Sequence, residues 1–280
     1  MTSFRGGDIP APPVFIMKID TRLFASAVPI ERYRIGNRWY KVYRADLVPK
    51  PPLAPYLKMI ELEPFLHLIS SQGFRVFGYY AVPESEWVVS IPSLCESVGM
   101  QAVIGLSKTK VLPSYSERIR KNLYLLSPNI YAVNYSRTRK YVEGLRGFMA
   151  PMGLECKEVV DGLTDFLDES SPLPRADSYV VPTGSGVALS GILNHLRGRG
   201  LVVGVCTRPV DSIARVIARY VAYRNFNLVY RDAKQAPIED PPFPMHPYWD
   251  QNAYCWMLAN IGSLRGIVCF VNLGSGVNRG

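Results

Sequence analysis

The stretch SYVVPTGSGVALSGILNHLRG, residues 178 to 198, runs from an apolar, β-branched segment through a glycine turn into an amphipathic one. The turn itself is Thr183-Gly184-Ser185-Gly186. A glycine-bearing turn that opens a helix aims several unpaired backbone N-H groups at one point, and the helix dipole favours an anion there. Phosphate suits such a turn, although the same residues also make a tight strand-to-helix connection. The three histidines, His67, His195 and His246, form no pair at metal-ligand spacing, so no metal is expected. Five cysteines, Cys95, Cys156, Cys206, Cys255 and Cys269, are odd in number and widely spaced without a C-x-x-C pair. That pattern argues against a disulfide framework and for small buried apolar residues.

The elements that must position the turn are those of an ordered globular chain. It has 280 residues, 48% hydrophobic and 20% charged, enough to bury one large core or two modest ones. The first residues, MTSFRGGDIPAPPVF, lack a long apolar h-region, and no transmembrane run follows, so a cytoplasmic protein is expected. Strand-like runs at 38–44, 75–80, 101–106, 178–182, 201–206, 227–231 and 266–271 alternate with helix-like ones at 55–73, 87–99, 187–197, 211–224 and 250–261. Alternation of this kind predicts an α/β fold: two domains of open twisted, mostly parallel sheets flanked by helices. The expected division assigns 1–72 and 147–280 to a larger unit carrying the glycine turn, and 73–146 to a smaller one. The polar, proline-bearing 168–178 reads as a hinge.

The net charge of +9 is uneven, because residues 101 to 146 hold nine Lys/Arg against Glu117 and Glu143. Such a stretch can attract an anionic ligand or form a solvated face. With no aromatic-basic motif or zinc finger beside it, nucleic acid is not expected.

Several segments, in order and at comparable spacing, resemble the fold-type II pyridoxal-phosphate enzymes, which share the tryptophan synthase beta-like fold. The similarity is greatest to their D-cysteine desulfhydrase and aminocyclopropane-carboxylate deaminase branch. VPIERY (28–33) and YKVYRADL (40–47) look like the opening proline-isoleucine segment and a strand ending in Lys-Arg-Asp-Asp-Leu. LKMIELEPFL (57–66) is similar to the helix carrying Asn-Lys-x-Arg-Lys-Leu-Glu, and FGYYAVPESEWVVSIPSLCESVGMQAVI (77–104) to the small-domain strand, Gln-Ser-Asn loop and helix. SYVVPTGSGVALSG resembles the phosphate loop Gly-Ser-Gly-Gly-Thr-x-Ala-Gly, and GIVCFVNLGSG (266–276) the final strand with its His-Thr-Gly-Gly end.

What the resemblance implies is specific. Lys58 takes the position of the lysine that holds the cofactor as an imine and shuttles protons, and Ser85 that of the substrate-loop serine. Thr183, Gly184, Ser185 and Gly186 would bind the cofactor phosphate, and Asn272 would stand at the pyridine nitrogen. The implied protein is a pyridoxal-phosphate-dependent lyase or deaminase acting on a small amino acid, in a homodimer that the tyrosines and tryptophans of 243–256 would suit as interface residues. The alternative is an inactive homologue serving as a binding or assembly protein.

Departures from the family pattern carry that alternative. Val187 and Ala188 replace a glycine and a threonine, and a β-branched residue tolerates positive φ poorly. Glu84 and Glu86 flank Ser85, placing a carboxylate where the cofactor's phenolic oxygen is expected. Pro55-Tyr56-Leu57 replaces Gly-Gly-Asn and could fill the cleft, and Phe243 replaces a tyrosine proton donor. The connection from 122 to 178 also looks short for the family.

Overall fold

A computed structural model describes residues 28–35, 37–47, 56–81, 85, 87–107, 120–126, 131–223, 225–232 and 242–274. The strands are β1 (Ile30–Ile35), β2 (Arg38–Arg44), β3 (Val76–Ala81), β4 (Gln101–Ser107), β5 (Leu123–Leu126), β6 (Phe148–Met149), β7 (Ser178–Thr183), β8 (Leu201–Cys206), β9 (Phe226–Tyr230) and β10 (Val268–Asn272). The helices are α1 (Tyr56–Ser71), α2 (Trp87–Ser97), α3 (Tyr131–Gly144), α4 (Lys157–Glu169), α5 (Val187–Leu196), α6 (Val210–Tyr220) and α7 (Asp250–Asn260). The chain is α/β, with parallel sheets flanked by helices.

One sheet has the order β1-β2-β10-β7-β8-β9 and the other β5-β4-β3-β6. Every pairing is parallel except that of the edge strand β1 with β2. β3, β7 and β10 are buried along their whole length, which explains why they read as continuous apolar runs, for parallel strands are covered on both faces. On one face of the larger sheet, Tyr43, Tyr179, Val181, Val202 and Val271 pack with residues of α4, α5 and α6. On the other, Tyr40, Val42, Val180, Val203 and Phe270 meet Ala253, Tyr254 and Met257 of α7.

The smaller sheet buries Phe77, Tyr79, Ala102 and Ile104 against α1 and α2, and Val76 and Val103 against Val142 of α3. α3 lies so close that a Cβ on Gly105 would come 2.0 Å from Thr138 Oγ1, and one on Gly78 2.3 Å from a methyl of Val142. α1 and α4 each belong to both cores. α1 gives Ile60 to the larger and Leu62, Phe65, Leu66 and Ile69 to the smaller; α4 gives Val159 and Val160 to the smaller and Leu163, Phe166 and Leu167 to the larger. They touch at Gly162, where a Cβ would stand 3.2 Å from both the Glu61 carbonyl and the Pro64 ring.

The stretch from 122 to 178, short as it looks in sequence, contains β5, α3, β6 and α4. β6 pairs with β3 in the smaller sheet, just beyond the division expected at residue 146. The segment 168–178, read as a hinge, is moored to the larger sheet. Ser171 Oγ accepts from the Val28 amide at 2.7 Å and the Ser171 carbonyl from the Tyr43 hydroxyl at 2.7 Å. His195 Nε2 accepts from the Leu173 amide at 3.4 Å, and the Pro174 carbonyl from the Tyr179 hydroxyl at 3.0 Å. All five cysteines are free thiols, three of them buried. Among the described residues no group of three His, Cys, Asp or Glu could hold a metal, and no helix is long and apolar enough to cross a membrane.

Candidate functional site

A cavity of about 270 Å³ opens between the two sheets at the carboxyl ends of β3, β7, β8 and β10. This is where open parallel sheets place ligands, because helix N-termini and the loops that follow the strands converge there. Its floor is the sequence-predicted turn: Thr183, Gly184, Ser185 and Gly186, continued by Val187, Ala188 and Leu189 of α5. Gly186 caps α5 with a φ of 94°, a left-handed conformation that suits glycine. The first bond of the helix runs from the Ser190 amide to the Gly186 carbonyl at 2.9 Å, so the preceding amides have no partner within the helix.

Val187 overturns the expectation attached to it. Gly186 takes the positive φ and Val187 begins the helix, its side chain buried in the smaller core with Val216. The β-branched residue therefore costs the turn nothing. Ala188 does remove a hydroxyl from the first helical turn. Among the turn's own hydroxyls, Thr183 Oγ1 donates to the Val181 carbonyl at 3.1 Å, while Ser185 Oγ lies 3.5 Å from the Val187 amide.

The walls come from four further places. Ser85 lies just before α2, its carbonyl accepting from the Val88 amide at 3.1 Å, and it faces the cavity with Tyr79, Tyr80, Ala81 and Trp87. Glu61 enters from α1, Gly153 from the turn before α4, and Arg208 from the loop after β8. Tyr248, Trp249 and Asp250 come from the N-terminal corner of α7, and Leu273 from the end of β10. Beside Gly153, burial raises the pKa of Glu155, opposed by the positive charges of Arg219 and Arg208.

The structure thus brings Ser85 and the whole 183–186 turn into one cavity. Lys58 lies in the first turn of α1, three residues before Glu61; its side chain, those of Tyr56 and Leu57, and the residues Pro55, Glu84 and Glu86 are outside the described set. Asn272 is not on the cavity wall, which its neighbour Leu273 supplies. Its Nδ2 donates to Asp46 Oδ1 at 2.8 Å and to the Pro244 carbonyl at 2.9 Å, and its wholly buried Oδ1 has no hydrogen-bond partner among the described residues. Phe243 is buried in the aromatic cluster with Tyr33, Tyr254 and Phe270, its ring 5.2 Å from the Arg44 guanidinium. Of the tyrosines and tryptophans of 243–256, Tyr254 is buried and Tyr248, Trp249 and Trp256 are partly so. Their strip of sequence has no helical apolar rhythm, so their role as cavity and core residues had no periodic signal.

Solved structures share this architecture. An ACC deaminase homologue superposes with a TM-score of 0.74 over 91% of this chain and 91% of its own, at 16% identity. The fold is fold type II. Maize serine racemase gives a TM-score of 0.64 over 90% of both chains at 9% identity. The O-acetylserine dependent cystathionine beta-synthase from Helicobacter pylori gives 0.62 over 94% of this chain and 97% of its own, at 10% identity. No family model and no curated protein matches the sequence.

The residues present fit the phosphate end of pyridoxal phosphate. Gly184 and Gly186 line the turn, and the residues of the first turn of α5, whose amides precede the first intrahelical bond, lie on the cavity floor. Asn272, expected at the ring nitrogen, does not line the cavity, and its amide is held by Asp46 and the Pro244 carbonyl.

Proposed function

We propose that the protein binds pyridoxal phosphate in this cavity and acts on a small amino acid by elimination or deamination. The observation that carries the reading is the meeting of the Thr183 to Gly186 turn and Ser85 in one cavity, at the strand ends where a fold-type II chain would use them. The cofactor, when bound, supplies an electron sink for a substrate carbanion. The chain's own residues hold and orient. The amides of the α5 first turn bind the phosphate, with Ser185 Oγ as an added donor. Ser85, at the start of α2, offers a hydroxyl and the positive end of that helix to a substrate carboxylate. Lys58 anchors the cofactor and carries the proton to and from the substrate carbon.

A second reading, an inactive relative that binds without turning over, is favoured by Phe243. It stands in the aromatic core without a hydroxyl and away from the cavity, so that position supplies no proton donor. An absorbance titration of the purified protein with pyridoxal phosphate separates the cases. A saturable visible band, abolished in Lys58→Ala and removed by borohydride, supports the lysine-anchored cofactor. Amino-acid turnover then supports the enzyme, and its absence the binding protein. No band and no bound cofactor would overturn the first reading and leave the inactive homologue that serves as a binding or assembly protein.

A further inference from the structure

The corner that precedes α7 is built more firmly than a loop needs to be. The His246 amide donates to the Gly274 carbonyl at 3.0 Å, and the Leu273 amide to Asp250 Oδ1 at 2.7 Å. These two bonds fasten both ends of the corner to the end of β10. Inside it, His246 Nδ1 faces the amides of Tyr248 and Trp249 at 3.1 and 3.3 Å, and the Asp250 amide donates to the His246 carbonyl at 3.0 Å. Tyr248 and Trp249 meet edge to face at 4.4 Å between ring centres, a contact that restrains the indole. The indole lies against the glycine turn: a Cβ on Gly184 would be 3.5 Å from its six-membered ring. Both Trp249 and the turn line the cavity.

A rigidly held indole at this distance from an anion cradle is placed for a ligand whose phosphate is joined to a flat ring by a short link. We propose that Trp249 is the platform on which that ring stacks, so that it selects a phosphorylated planar heteroaromatic over phosphate alone. This rests on the reading that the cavity takes a pyridine phosphate. Stacking on an indole face is insensitive to the ring's substituents, whereas the cradle recognises the phosphate.

The test uses isothermal titration with pyridoxine 5′-phosphate, which has no aldehyde and so cannot bond to a lysine, beside inorganic phosphate. The proteins are the native chain, Trp249→Phe and Trp249→Leu, the leucine keeping apolar bulk so that the corner stays filled. Trp249→Leu should weaken pyridoxine phosphate about tenfold or more, and Trp249→Phe about threefold or less, while inorganic phosphate binds all three alike. Equal affinity of the native chain and Trp249→Leu for pyridoxine phosphate would overturn the platform and leave the cofactor reading standing. An equal loss for both probes would also overturn it, making Trp249 a support of the turn. Failure of the native chain to bind pyridoxine phosphate or pyridoxal phosphate would remove the cofactor reading and the platform with it.

Discussion

Arg44 grips Asp46 with two parallel bonds, Nε to Oδ1 and Nη2 to Oδ2, each 2.7 Å long, with both side chains buried. The remaining fork of the guanidinium reaches Glu31 Oε2 at 2.6 Å, and Asp46 Oδ1 also receives Asn272 Nδ2. The pair joins the end of β2 to the end of β10, where Leu273 turns into the cavity. Removing Asp46 leaves the buried Arg44 with only the partly exposed Glu31 as counter-charge, so Asp46→Ala should lower stability by about 3 kcal/mol. Urea unfolding measures it. The double variant Arg44→Met/Asp46→Leu should lose less than the two single variants together, because neither charge is then left alone.

His195 supplies a pH dependence. Burial pushes its pKa down; Asp168, 2.6 Å from Nδ1, pulls the other way but does not offset it, and Arg199 and Arg197 add to the lowering. Nε2 accepts the Leu173 amide, so the folded ring is neutral with its proton on Nδ1. The unfolded chain takes up that proton near pH 6.5 while the folded chain resists it. Stability from His195 is therefore complete above about pH 6.5 and lost as pH falls from there through the lower folded value. Burial raises the pKa of Glu63, Asp165 and Glu155, which act in the opposite sense. The difference between the native chain and His195→Gln isolates the histidine: thermal midpoints followed from pH 7.5 to 5 should fall more steeply in the native chain.

The seating of α3 depends on two glycines. Gly105→Ala would drive a methyl into Thr138, and Gly78→Ala into Val142. Each should destabilise by about 1 to 3 kcal/mol through overpacking. Pairing Gly78→Ala with Val142→Ala should restore part of the loss, which denaturant melts of the single and double variants would show.

Gly186 and Gly184 should respond differently to alanine. At Gly186 the φ of 94° puts an L side chain in strained backbone, at a cost of about 1 to 2 kcal/mol, and should weaken phosphate binding with it. At Gly184 the new methyl meets Trp249 at an ordinary contact distance, so the chain should keep its melting temperature. Thermal melts and phosphate titrations of both variants test this contrast.

Much of the larger sheet was legible in sequence. RWYKVYR and LVVGVC are strands residue for residue, and the turn at 183–186 sits where its glycines and the following amphipathic run placed it. Long apolar runs bounded by turn residues carry that information locally. α3 and α4 were not read. α3 is polar over most of its exposed surface, and it docks through Thr138 and Val142 into glycines distant in sequence, a match that no local pattern displays. At the site, Ser85 and the turn were found from motif order. Trp249, Tyr248 and Glu61 were missed because their relation to the turn exists only once β7, β10, α1 and α7 are packed. Asn272 was singled out from its place at the end of β10, yet its amide turned out to be engaged by Asp46 and Pro244.

The sharing of α1 and α4 between two cores has a thermodynamic consequence. Neither sheet can lose its cover without stripping apolar residues from the other: releasing the smaller sheet exposes the side of α4 that carries Val159 and Val160, and releasing the larger one exposes Ile60 and Leu163. Melting of one half therefore raises the free energy of the other. A chain with two separate sheets should accordingly disappear in a single cooperative step, with calorimetric and van't Hoff enthalpies that agree.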